Sequence, residues 1–124
     1  MSRTRSAAIA VALMGCDRAP PSPPRFDPGP VPRELAEGER GYERNCRACH
    51  GRLGSGTEAG PPLVHRIYEP GHHADAAFQL AVRRGVRAHH WSFGNMPPIP
   101  AMDSAGIAAV TGYVRWLQQR AGIR

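Results

Sequence analysis

The feature that most constrains this chain is a run of five residues, Cys46-Arg47-Ala48-Cys49-His50. Two residues between the thiols set them about one helical turn apart, and a histidine follows the second thiol directly. By this spacing haem is attached covalently: the thiols add across two porphyrin vinyl groups, and the imidazole is placed to reach the iron as proximal ligand. Two other chemistries use a CxxC pair. Zinc would need a second pair of ligands at suitable spacing, and the only other cysteine is Cys16. A redox-active dithiol would want a surrounding βαβ pattern, and no such pattern is present. Haem attachment is the favoured reading of the three.

A bonded group of that size suits a chain of this length. The 124 residues leave room for one domain, and with a non-globular start the folding unit is about 90 residues. So small a core gains from an extra apolar component. The formal charge is +6, and all sixteen basic residues are arginine. From Arg33 onward twelve arginines face eight acids, a net of +4. That charge is modest, and no basic stretch carries interleaved aromatics, which argues against nucleic acid. Mild steering toward an acidic partner is what it allows.

Residues 1–16 read as a lipoprotein export signal. Arg3 and Arg5 form a basic head, and Ala7 to Met14 is a short apolar run, far below the roughly 20 residues of a spanning helix. Leu13-Met14-Gly15-Cys16 resembles the lipobox of bacterial lipoproteins, with Met14 a less usual residue at its position. The resemblance implies cleavage before Cys16 and lipid on its thiol; an ordinary cleaved secretory signal is the plainer alternative. Lipidation accounts for the odd cysteine without a disulfide. Several acyl chains on one residue anchor stably, where a single chain is marginal.

Residues 17–32 read as a spacer. Seven of the thirteen prolines fall there, and proline fixes φ and removes a backbone donor. A polyproline-like course would hold a domain at residues 33–124 up to roughly 45 Å from Cys16.

Within that domain the periodicity predicts helices and no strands. Leu35, Gly38 and Tyr42 share one face of a helix over Glu34–Asn45, and Cys46 continues the stripe. Glycine lowers helix propensity, so Gly38 on an inner face implies close approach of another helix. The stretch from Gly51 to Gly60 reads as a glycine-rich loop. Asp75–Arg84 is a second helix, with Ala74, Phe78, Ala81 and Val82 on one face and Gly85 as terminator. Arg83, Arg84 and Arg87 near its end suit the helix dipole, with a docking patch as second reading. In the last helix, Asp103–Gln119, Asp103 is the N-cap and Met102 and Ile107 form a hydrophobic staple. Ile107, Val110, Tyr113, Val114 and Leu117 make its apolar stripe.

A six-coordinate haem needs a second ligand. Beyond the signal there are two methionines, Met96 and Met102, and the staple already explains Met102. Met96 sits in Gly94-Asn95-Met96-Pro97-Pro98-Ile99-Pro100, where closely spaced prolines make a stiff loop. Stiffness is what a weakly bound thioether needs. His72, His73, His89 and His90 are the competing ligands; as adjacent pairs in polar stretches they read more simply as solvated.

Together these residues resemble the class I cytochromes c, small monohaem electron carriers, over roughly Glu34 to Arg120. Gly38 and Tyr42 stand eight and four residues before Cys46, as a glycine and an aromatic do in that family. The resemblance implies that they pack across the C-terminal helix, here through Val110, Tyr113 and Val114. Gly60, Pro61 and Leu63 match the family's Gly-Pro-x-Leu. By carry-over the Pro61 carbonyl accepts a hydrogen bond from the His50 ring N–H, orienting the ligand, and Leu63 packs on the haem. Asn95-Met96-Pro97 matches the methionine loop, and Trp91 is assigned by position to the haem edge or a propionate. The segment from Arg87 to Phe93 lies where the family varies. The implied architecture is the all-α cytochrome c fold. Its N- and C-terminal helices cross, with one or two helices between and long loops around one haem c bound through Cys46 and Cys49.

The implied function is one-electron transfer and not enzymatic catalysis. With His50 and Met96 on the iron no site is open to substrate, and Met/His ligation raises the reduction potential. The implied partners are a quinol-oxidising complex, a terminal oxidase or another cytochrome, meeting a monomer transiently at the haem edge. The chain would then work in a membrane-linked redox chain facing the periplasm or cell exterior, where a lipid tether raises effective concentration. The alternatives are a haem-based small-ligand sensor or a peroxidase-like enzyme with an open or labile distal site, and a module of a larger oxidase.

Overall fold

The structure, a computed structural model, describes residues 26–124. The export signal, Cys16 and the first part of the proline-rich spacer lie outside the described residues. Four α-helices form among those described: α1 (Ala36–Asn45), α2 (Arg47–His50), α3 (Asp75–Arg84) and α4 (Ser104–Arg120). Three short 3-10 turns punctuate the connections, and no strand forms among the described residues, so the fold is all-α as expected.

The longest helix, α4, starts where the sequence supplies a cap. Asp103 Oδ1 accepts from the Gly106 amide at 2.7 Å, satisfying one of the donors a helix start leaves free. Its inner face buries Ile107, Val110, Tyr113, Val114 and Leu117. Against that face lies α1, which buries Gly38 and Tyr42. The two backbones come so close that a Cβ on residue 38 would stand 2.1 Å from the Ala109 carbonyl oxygen. Glycine is required there by space. The Tyr42 and Tyr113 rings meet at 5.6 Å, tilted by 55°, an arrangement that contributes about 0.5–1.5 kcal/mol beyond area burial. Cys46 belongs to the same buried cluster, so the helix crossing fixes the first thiol.

Three local features differ from the sequence expectation. The first helix does not begin as α-helix: residues Arg33–Leu35 form a 3-10 turn, closed by Leu35 N–H to the Pro32 carbonyl at 2.9 Å. Ala74 does not sit on the inner face of α3. It is the extended, exposed residue that precedes the helix. The end of the proline-rich segment is no free spacer either. Pro28 is buried, its carbonyl accepts from Arg120 Nε at 2.8 Å, and Val31 packs on the core. Proline lacks an N–H, but its carbonyl still accepts and its ring still packs. The folded unit therefore reaches back to Pro28.

Candidate haem site

The pentapeptide is shaped by where its backbone bonds go. After Asn45 the chain breaks from α1 at Cys46 (φ −120°, ψ −36°) and winds one further turn, α2. Cys46 N–H still bonds to Tyr42 O and His50 N–H to Cys46 O, both at 2.9 Å. The last carbonyls of such a turn need partners, and the glycine-rich loop folds back to provide them. Gly56 N–H donates to His50 O at 2.7 Å, and Thr57 Oγ1 donates to Cys49 O at 2.6 Å. The Tyr42 hydroxyl, buried under the helix crossing, donates to Gly51 O at 2.8 Å. Cys46 is buried and Cys49 exposed. Burial, with Cys49 nearby, pushes the Cys46 thiol up to about 11.

His50 is held in one orientation. Its Nδ1 lies 2.9 Å from the Pro61 carbonyl oxygen. A carbonyl only accepts, so Nδ1 carries the proton and Nε2 keeps its lone pair. Burial pushes the imidazole pKa down, against the opposing pull of the Pro61 hydrogen bond. A neutral ring with one free lone pair is what a metal ligand must be.

Met96 is fixed through its backbone. Its N–H and C=O exchange two hydrogen bonds with Val86, each 2.9 Å, in an isolated antiparallel bridge. Ile99 N–H adds a bond to Val82 O, near the end of α3, at 2.7 Å. Asn95 Oδ1 accepts from Ala88 N–H at 3.0 Å. The proline-stiffened loop is thus stapled to the end of α3 and the residues just after it.

These segments enclose one cavity of about 440 Å³, and Cys46, Cys49, His50, Pro61, Leu63, Trp91 and Met96 all line it. Most of the rest of the lining is apolar, including Phe78, Val82, Ile99, Val110 and Val114. Leu80 and Phe93 line it too and are among the exposed large hydrophobic residues. Trp91 Nε1 is a buried donor that makes no well-formed hydrogen bond among the described residues, with the Tyr68 hydroxyl as its neighbour. An unmet buried N–H costs free energy, and a carboxylate-bearing group in the cavity would meet it. Two thiols, a preset imidazole, a thioether, apolar walls and one orphaned donor fit a haem with its propionates. Cys16, the expected lipid site, lies outside the described residues.

Sequence reading missed Arg115 and Gln118, both buried on α4. Arg115 donates to Tyr68 O at 2.6 Å, to Gln118 Oε1 at 2.8 Å, to Asp75 Oδ1 at 2.8 Å and to His73 O. Its guanidinium lies 4.8 Å from the centre of the Phe78 ring. Gln118 Nε2 donates to Leu63 O and Tyr68 O, both at 2.9 Å. The pair ties the loop from Leu63 to Asp75, one wall of the cavity, onto α4. The signal was available: Arg115 stands four residues after Thr111 and Gln118 four after Val114, at the helical spacing of a shared face.

The model of the Cytochrome c family matches residues 35–118. The chain matches no curated protein and no solved structure. The family match spans both crossing helices, the pentapeptide and the methionine loop. The chain belongs to the cytochrome c family, as an electron-transfer protein with one haem c bound covalently through Cys46 and Cys49.

Proposed function

We propose that this chain is a class I cytochrome c, exported as a lipoprotein, that shuttles single electrons with His50 and Met96 as axial ligands and catalyses no reaction of its own. The observation that carries the reading is a pair of restraints on one cavity. His50 Nδ1 is held by Pro61 O at 2.9 Å, and the Met96 backbone is clamped to Val86 by two bonds of 2.9 Å. Bound haem supplies the one-electron chemistry. The chain's part is to hold both ligands without rearrangement, to keep His50 neutral, and to line the site with apolar side chains that exclude water.

Such an arrangement favours the carrier over a sensor or peroxidase, because a stapled sixth ligand leaves no position for a substrate. Leu80 and Phe93 at the cavity mouth support transient docking there. The partners proposed are a quinol-oxidising complex, a terminal oxidase or another cytochrome. A lipid on Cys16 would hold the domain, as a monomer, at a membrane outside the cytoplasm, and the proline-rich segment would set its reach.

The test is carbon monoxide titration of the reduced holoprotein beside film voltammetry. A carrier gives a reversible one-electron wave and no carbon monoxide complex at neutral pH. Ready carbon monoxide binding, or catalytic current with peroxide, would establish the open-site alternative. Intact mass measurement of membrane-extracted protein tests the anchor: residues 1–15 gone and lipid on Cys16 is the expected result.

A further inference from the structure

Two pairs of adjacent histidines, far apart in sequence, meet in space. His72 and His73 follow the 3-10 turn Arg66–Tyr68, and His89 and His90 follow α3. Ring centroids are 4.7 Å apart for His72–His73, 5.1 Å for His72–His90, 5.2 Å for His73–His90 and 4.3 Å for His89–His90. Ligand nitrogens of His72, His73 and His90 all lie within 4.8 Å of one another. His73, His89 and His90 also line the haem cavity, while His72 and His90 are exposed. The cluster sits on the rim, open to solvent. The carrier function described above gives it no task.

We propose that this cluster is a second metal site, which takes a divalent transition ion of the zinc–copper class through His72, His73 and His90. Three observations carry the proposal. The first is tautomer. His73 Nδ1 lies 2.6 Å from Ile67 O and His89 Nδ1 lies 2.8 Å from Arg87 O. Each carbonyl accepts, so each Nδ1 holds the proton and each Nε2 keeps a lone pair, the usual arrangement behind a metal-bound imidazole.

The second is spacing. His72 Nε2 and His90 Nε2 are hydrogen-bonded to each other at 3.3 Å, so one of them carries a proton that an incoming ion would displace. Two nitrogens bound to one tetrahedral ion at 2.0–2.1 Å stand about 3.3 Å apart. His73 completes the set by closing a somewhat wider gap, and His89 or water is available for a fourth position.

The third is scaffolding and charge. The amides of His72 and His73 both donate to Glu69 O, at 3.0 and 2.8 Å, and the second loop is held by the Val86–Met96 bridge. Neither of the ion pairs among the described residues involves these histidines. A set of neutral nitrogen donors selects zinc, copper or nickel over magnesium and calcium, which require oxygen.

The test is calorimetric titration of Zn²⁺ into the tag-free, membrane-extracted holoprotein, in which haem occupies both pentapeptide thiols and the proposed lipid the third. One saturable equivalent is expected, with a rise in the thermal midpoint. His72→Gln and His90→Gln should each weaken the affinity by at least about tenfold, and His72→Gln, which lies outside the haem cavity lining, should leave the visible absorption spectrum unchanged. The proposal is overturned by an absence of saturable binding. It is equally overturned if binding survives both substitutions at undiminished affinity, since the ion would then sit elsewhere.

Discussion

Gly85 lies against Met96 so closely that a Cβ on it would stand 2.5 Å from the Met96 carbonyl oxygen. That carbonyl accepts the hydrogen bond from Val86, and Gly85 itself has φ +75°. One residue therefore ends α3 and makes room for the strand of chain that carries the methionine. The glycine expected as a helix terminator is also the seat of the Met96 loop.

Gly85→Ala combines left-handed backbone strain with a backbone clash, and should cost about 2–4 kcal/mol of stability. Gly94→Ala is the control. Gly94 has φ +93° with nothing within 4 Å of where a Cβ would stand, so it carries the strain alone, about 1–2 kcal/mol. Denaturant titration of the two holoproteins measures the difference. Equal losses would show that the contact with Met96 carries no energy.

Arg115→Ala removes a buried guanidinium that serves two carbonyls and Gln118. Leaving the His73 carbonyl and Gln118 Oε1 without this donor, with Tyr68 O keeping only Gln118 Nε2, should cost about 3 kcal/mol. Asp75, its ionic partner, has a side chain 73% exposed, so Asp75→Asn should cost less than about 1 kcal/mol. The expected inequality says that Arg115 acts as a pin for the Leu63–Asp75 loop and only slightly as half of an ion pair. Unfolding midpoints of both variants decide it.

Tyr113 is wholly buried, and desolvation, then Glu39 and Glu43, push its phenol up to about 12 against a smaller opposing effect of Arg52. Tyr42 is shifted in the same direction, mainly by burial. Below about pH 10 both folded and unfolded phenols are protonated, and the contribution to stability is complete. As pH rises from about 10 to about 12 the unfolded chain loses these protons while the folded chain keeps them, so stability falls. Tyr113→Phe should flatten that fall. Denaturant midpoints across the window read it directly.

Much of this architecture was legible because it rests on local rules. Asp103 caps α4 and Asp75–Arg84 is helical as the spacing predicts. Gly38 marks the close crossing because glycine inside a helix has a cost that only packing explains. The contact between His50 and Pro61 was implied by resemblance, since nothing in the spacing of those residues requires it. What stayed hidden is long-range. Arg115 stands at helical spacing from Thr111, but nothing local names its partners Tyr68, His73 and Asp75, which are 40 to 47 residues away. The four histidines read as two solvated pairs for the same reason. Pro28 read as spacer because its burial depends on Arg120, at the other end of the domain.

The account turns on Met96 as the second axial ligand beside His50. Near-infrared magnetic circular dichroism of the ferric holoprotein tests this most directly, because sulfur bonded to ferric haem iron gives its own charge-transfer band. The band should be present in the wild type at neutral pH and absent in Met96→Ala, with covalent haem retained in both. A wild-type protein without the band, or a Met96→Ala variant that keeps it, would contradict the account.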